Sequence, residues 1–509
     1  MNGTAKIDIS IQDLSVVRNT GVKGVIAVCG PTERGPINSP VLIGSWQQFR
    51  KTFGGLLTTS DFPLYCRRAL EQGAKLLIVR LGHYTDIADA GTLVGVKATA
   101  TLTDTTHNIV FKASDIGVWG NSLSVKVAAA SNLVAGEMDL TVSLTGYPEL
   151  TYTVKNIKRA LTTLEKDRFN SLSPLVKIDT FAGTTTTTPT LTFTSGAQDV
   201  SAIVNADYIG SSVSGTGIRA FDNSTNATKI CIPHLAIPAI DAALVTYVES
   251  RKDMIALLRT PVGLNSAGIL DYRNATGSYS GTAVSSWKAF MFTGGVKISH
   301  PDTGLEIQIS EISDVMALFT KKDNSDGEWF TAAGPKRGVI GNVLGVVYNL
   351  ASASLQSEAD QIDENGINPV IAHPNFGVVL WGNSTLQKSN TLLKHANIAE
   401  LMIYLTRELK PLTESELFDP NDIDTWKAVY RRVAPLMDSL VEKRAIWKYL
   451  YQGDQNIDDV SQAEINEPSN IDAGAYYFNL FISPKVGMKY LGVRVMLTNS
   501  GVDFESLTA

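Results

Sequence analysis

A chain of 509 residues with 44% apolar and 18% charged side chains is long enough for several cores and too apolar to be disordered. A formal net charge of −6 and an isoelectric point near 5.6 exclude the bulk basicity that wraps nucleic acid. No apolar run approaches the ~20 residues a membrane helix needs, and the opening Met1-Asn-Gly-Thr-Ala-Lys6 lacks the apolar stretch of a secretory leader. Cys29, Cys66 and Cys231 are odd in number and far apart, so buried thiols are expected rather than a disulfide framework.

From the start of the chain, Ala5 to Gln12 alternates: Ile7, Ile9 and Ile11 point one way and Lys6, Asp8, Ser10 and Gln12 the other, which predicts a half-buried strand. A compact α/β unit follows. Val22–Val28 is an apolar strand and Gly30–Pro36 a loop. Ser45 caps a short helix that ends at Gly54-Gly55. A second helix spans Asp61–Gln72 with Pro63 in its first turn, and Lys75–Arg80 is a buried strand. From about 93 to 200 Thr, Val and Ser dominate. Strand-like runs at 97–102, 109–112, 123–128, 138–144 and 151–154 predict an inserted β-rich domain with a helical interruption near 155–168. The α/β pattern returns over 201–372, with helices at 240–252 and 315–321 and strands at 230–234, 254–258 and 286–298.

The last third opens with Phe376–Leu386, in which Val378–Trp381 is a buried strand closed by Gly382-Asn383. Asn397–Leu409 is an amphipathic helix ended by Pro411. Asp422–Val433 is another, and Pro435 starts or kinks a further helix that runs to about Tyr451. Tyr476–Ile482 reads as a strand, and Leu491–Thr498 alternates with Leu491, Val493, Val495 and Leu497 on one side.

No stretch carries convincing catalytic chemistry. Gly30-Pro-Thr-Glu-Arg-Gly35 follows a strand, but Pro36 and Ile37 stand where a phosphate loop needs Lys and Ser or Thr, so a tight turn is the better account. The six histidines are scattered without metal-ligand spacing, and there is no Gly-x-Ser-x-Gly elbow. Lys443, Arg444 and Lys448 form a basic group on the helix expected after Pro435: either a solvated face or a docking face for an acidic partner. The two terminal strands can pair within their own sheet or add to a neighbour's sheet, and head-to-tail addition generates rings or filaments.

Taken together, the chain resembles the tail sheath family of contractile phages and related contractile injection systems. The resemblance rests on Gly30-Pro-Thr-Glu-Arg-Gly-Pro36, Phe53-Gly-Gly55 and the Gly73–Arg80 strand. It continues through Ala113-Ser-Asp-Ile-Gly-Val-Trp-Gly-Asn121, Phe376–Leu386 with its Trp-Gly-x-x-Thr-Leu ending, Phe418-Asp-Pro-Asn-Asp422 with Trp426, and Ile471-Asp-Ala-Gly474. Asn383-Ser384 replaces the family's Ala-Arg pair, and Thr331-Ala-Ala-Gly334 stands for its Lys-Ala-Pro-Ala-Gly element, marking a divergent branch.

The resemblance implies an α/β (α+β) multidomain fold: an arm at 1–20, an α/β unit at 21–92 packing with the C-terminal domain, an inserted β-rich outer domain at 93–200, a middle domain at 201–372, a sheath core at 373–488 and a second arm at 489–509. It implies a non-enzymatic subunit without cofactor or metal, in hexameric rings stacked into a helical sheath around an inner tube, with baseplate and tail terminator proteins as further partners and no nucleic-acid or membrane role. Its place would be the virion tail, assembled in the host cytoplasm. Ile7, Ile9, Ile11, Val493, Val495 and Leu497 would then belong to inter-subunit strands, and Lys443, Arg444 and Lys448 would face the tube. The alternatives are an α/β enzyme or ligand-binding protein with an unrecognised site, or a static structural or baseplate component.

Overall fold

The computed structural model describes residues 23–104, 107–183, 187–198, 200–224, 226–348, 356–453, 465–466 and 468–488. The chain divides into two compact units. One holds the residues up to Leu235 together with Ile312–Ser325, and the other holds Ala236–Glu311 and Asp326 onward.

In the first unit the apolar run Val25–Gly30 is buried along its whole length, as expected of a strand flanked on both sides. It pairs in parallel with Lys75–Arg80 and with Ala227–Cys231, and Val41–Ile43 adds antiparallel to Lys75–Arg80. The helix Trp46–Phe53 starts where the sequence places it, because the Ser45 side chain accepts from Gln48 N–H. The helix Phe62–Glu71 begins with Pro63 in its first turn. All three cysteines are buried, and no two of them form a disulfide.

The glycine-rich loop after Val25–Gly30 has a structural role. Glu33 Oε2 accepts from Gly55 N–H at 2.8 Å and from the Tyr147 hydroxyl at 2.6 Å. Arg34 donates to the Arg50 carbonyl at the end of the first helix and lies 4.1 Å over the Tyr147 ring. Arg80, buried at the end of its strand, gathers the Gly35 carbonyl at 2.8 Å, the Ile116 carbonyl at 3.0 Å and the Gln198 side chain. It thereby fastens both chain ends of the β-rich block.

That block is two antiparallel sheets around one core. The first runs Tyr152–Lys158, Glu137–Leu144, Leu123–Ala129, Thr190–Thr192; the second Val176–Ala182, His107–Ala113, Thr99–Asp104. Phe111, Val125, Leu140, Phe169 and Ile178 share the space between them, as alternating strands of a sandwich require. The helical interruption starts later than the sequence suggests. Tyr152–Lys158 stays a strand through an irregularity between Val154 and Ile157, and the helix Thr163–Leu172 begins where Thr162 caps Glu165. The Gly117-Val-Trp-Gly-Asn121 element closes the block at its neck. Asn121 exchanges hydrogen bonds with Gly196 at 2.8 and 3.0 Å, and a Cβ at Gly120 would meet Ala98 at 2.7 Å.

The helix Ile312–Ser325 is buried on nearly every face. Arg68 pairs with Asp314 at 2.8 Å near its start, and Lys229 and Lys322 hold Asp323 at 2.7 and 3.0 Å near its end. Burial pushes the Asp323 carboxyl up, but the two ammonium groups outweigh it and hold the group below its ordinary value of 3.8.

In the second unit Ile255–Arg259, Ala289–Thr293 and Ile367–His373 pair in parallel, and Gly377–Leu380 returns antiparallel to Ile367–His373. The hairpin formed by those last two strands lies across the boundary drawn at 372/373. The helices Pro238–Arg251 and Ser266–Asn274 belong to the same unit.

A carboxylate whose native pKa is depressed contributes stability that is complete above its unfolded pKa and is lost as pH falls through the native value. Replacing Asp323 by Ala strands two buried ammonium groups, so urea unfolding at pH 7 should show a loss of about 3–5 kcal/mol. The difference from the unmodified protein should shrink below about pH 4.

Candidate assembly site

The site is built outward from Trp381-Gly-Asn-Ser-Thr-Leu386. Gly382 passes so close to Asn368 that a Cβ would lie 2.6 Å from its Oδ1. Asn368 is buried there, accepting from Ser384 N–H at 2.8 Å and donating to the carbonyls of Ser384 and Met291 at 2.8 and 3.1 Å. Asn383 then donates to the Asn397 side chain at 2.9 Å, and Asn397 donates to the Lys485 carbonyl at 3.1 Å. One short element therefore fixes both the start of the next helix and the exit of the last described strand.

That helix spans Ala396–Glu414 and does not stop at Pro411. Pro411 removes one hydrogen bond close to the helix end, where Thr413 Oγ1 bonds back to the Leu409 and Lys410 carbonyls. A loop over 415–422 leads to the helix Ile423–Glu442, capped by Asp422, which accepts from Asp424 and Thr425 N–H. This helix continues through Pro435, correcting the break expected there. Trp426, Val429, Val433, Leu436, Met437 and Leu440 form one buried stripe on both sides of the proline, and burying it outweighs the ~3 kcal/mol an interior proline costs.

The residues after Glu442 are not helical. Lys443 ends the helix, Arg444 has φ 64°, and Ile446–Gln452 is a strand paired antiparallel with Asn479–Pro484. Lys443, Arg444 and Lys448 are thus exposed at one corner but do not share a helix face: Lys448 is on the strand. Trp447, Tyr449 and Tyr451 recur with period 2, which suits a pleated sheet, and the irregularity in the ladder between Ile446 and Lys448 turns Trp447 to the opposite face from the two tyrosines.

The inner face of this ribbon (Ile446, Tyr449, Tyr451, Leu480, Ile482) packs on Leu401, Leu405, Val433, Met437 and Leu440 of the two helices. Its outer face is apolar and exposed: Trp447 at 67%, Leu450 at 55% and, opposite Leu450, Phe481 at 54%. Lys485 Nζ lies 4.6 Å over the Trp447 ring. Among the described residues the sheet has just two strands. Each strand therefore keeps one edge that no other described strand covers, which is a template for a further strand. Ile7, Ile9, Ile11, Val493, Val495 and Leu497 lie outside the described residues.

Fold and site together define a multidomain α/β protein whose C-terminal block presents, among the described residues, a sheet of two strands. No family model matches the chain. It is similar to the tail sheath protein of Enterobacteria phage T4, 24% identical over 275 residues, covering 52% of this chain and 40% of that protein. It is also similar to the tail sheath protein of Vibrio phage KVP40, 21% identical over 195 residues, covering 38% and 27%. The match thus spans less than half the length of either relative. Among solved structures, the sheath tail protein of Listeria innocua superposes with a TM-score of 0.61 at 14% identity, covering 91% of this chain and 96% of that one. The contracted helical sheath of the anti-feeding prophage gives 0.57 at 12% identity, covering 97% and 99%. The resemblance to the contractile tail sheath family therefore holds in both sequence and fold.

Inner and outer positions of the ribbon should respond differently to substitution. Ile446→Ala should cost about 2–4 kcal/mol in denaturant unfolding. Leu450→Lys, on the exposed face, should stay within about 0.5 kcal/mol.

Proposed function

We propose that this chain is the repeating subunit of a contractile sheath that polymerises helically around an inner tube and drives that tube through a target envelope. The observation that carries the reading is the ribbon whose edges no other described strand covers, in a chain with the fold of sheath proteins. The strands read at 1–20 and 489–509 supply what the ribbon lacks: each subunit gives arms to its neighbours and receives theirs. Their one-sided apolar rows (Ile7, Ile9 and Ile11; Val493, Val495 and Leu497) suit a sheet whose inner face rests on helices.

In this reading hexameric rings stack into the sheath, with a baseplate protein at one end and a terminator at the other, in a virion tail put together in the host cytoplasm. The β-rich block at 93–200 lies outside and the 373–488 block inside. The mechanism needs no catalytic step and no cofactor. Subunits assemble in an extended lattice and relax into a shorter, wider one, and many small interface gains add over the lattice. The tube-facing assignment of Lys443, Arg444 and Lys448 drew on a shared helix face. With Lys448 on the ribbon, the group is a corner of the C-terminal block.

Deleting residues 1–20 removes a donated strand and nothing of the described cores. The truncated protein should purify as a folded monomer that forms no tubes by electron microscopy, whereas the full chain forms hollow, cross-striated ones. Tubes from the truncated protein would refute the donated-strand mechanism.

A further inference from the structure

The helix Ile423–Glu442 carries opposite surfaces at its two ends. At its start the stretch from Pro411 to Trp426 has five carboxylates, Glu414, Glu416, Asp419, Asp422 and Asp424, and no basic residue. Within it Phe418 is fully exposed in a left-handed backbone conformation, φ 75°, beside an exposed Leu417. A bulky residue rarely takes that conformation, and an aromatic ring held wholly in water is unfavourable. Some of these acids have internal roles: Glu416 pairs with Arg432 at 2.7 Å and Asp422 caps the helix. Asp419 and Asp424 are exposed.

At the other end, about 30 Å away for 20 residues of helix, Lys443, Arg444 and Lys448 are exposed within four residues of the exposed Trp447 in the chain. Lys485 lies over the Trp447 ring, and Phe481 and Leu450 extend the apolar surface. The acids near this corner are Glu442 and Asp438, the latter accepting from the Tyr449 hydroxyl at 2.8 Å. The helix dipole accounts for acids at the start and a base at the end. It does not account for the exposed Phe418, or for Lys448 and Trp447 on the ribbon.

We infer that these ends are two halves of one contact between copies of this chain: the acidic loop bearing Phe418 docks on the basic, aromatic corner around Trp447 and Lys448 of the next subunit. Both halves pair an apolar anchor with charges of opposite sign, and they sit at opposite ends of a rod. The contact is therefore head-to-tail, and it repeats into a ring or a filament according to the rotation between copies. It deepens the sheath reading by naming a lattice contact separate from the exchanged strands, and it assigns the basic corner to a second copy rather than to the tube.

Full-length charge swaps test this. One variant carries Asp419→Lys and Asp424→Lys, the other Arg444→Glu and Lys448→Glu, and unchanged melting curves confirm folding. By sedimentation velocity each variant alone should self-associate about ten-fold or more weakly than the unmodified chain. An equimolar mixture should recover association, because the two new lysines of one loop then meet the two new glutamates of the other's corner. Phe418→Ala, which removes no internal contact of a fully exposed side chain, should weaken association without recovery on mixing. Variants that associate like the unmodified chain would overturn the contact, as would a mixture that stays dissociated, or variants that assemble normally and fail only to coat tube protein. If the unmodified chain forms tubes and the swaps have no effect, the contact falls and the sheath reading stands. If the unmodified chain stays monomeric at every concentration, both fall.

Discussion

A sheet of two strands cannot satisfy its own edges, and it covers only part of the helix pair beneath it. Among the described residues the ribbon of Ile446–Gln452 and Asn479–Pro484 is in that position. Its inner face is well packed, with Ile446 wholly buried and Tyr451 nearly so. The rest of the second unit positions this ribbon. Asn368 anchors Gly382 and Ser384, Asn383 anchors Asn397, and Asn397 holds the Lys485 carbonyl, so the parallel strands fix the ribbon through a chain of buried amides. Such groups are costly to bury alone and directional once paired, which holds the exit of the last described strand in one geometry.

The first unit holds its own inserted parts by the same logic. Arg80 draws together carbonyls at the neck of the β-rich block, and the Arg68–Asp314 and Asp323 pairs hold the helix Ile312–Ser325 in its core. Breaking such pairs is more costly than never having made them. These ties accord with a lattice that changes by rearranging contacts between subunits, each moving with its internal packing intact.

Local signals were legible in the sequence wherever a single physical rule decided the outcome. Ser45 before an amphipathic run gives a capped helix, and Lys75–Arg80 gives a buried strand. The spacing that stops Gly30–Pro36 from being a phosphate loop is explained by what Glu33, Arg34 and Arg80 do instead. Reading failed where two rules competed. Pro411 and Pro435 argue for helix ends, but buried Leu436, Met437 and Leu440 carry the second helix through Pro435, and the first runs only three residues past Pro411. Pro435 also argues for a further helix through Lys448, whereas the aromatic alternation at Trp447, Tyr449 and Tyr451 argues for the strand that forms there. The exposed Phe418, Leu450 and Phe481 had no signature in sequence, since exposure is decided by packing of segments distant in the chain.

The central claim is that strands from other copies complete the ribbon. A cryo-electron microscopy map of the assembled particle tests it most directly, at a resolution that traces the backbone around Ile446–Gln452 and Asn479–Pro484. The account predicts a wider sheet there, with the added strands entering from neighbouring subunits. A ribbon that stays two-stranded in the particle, or is completed solely by strands of its own chain, would contradict it.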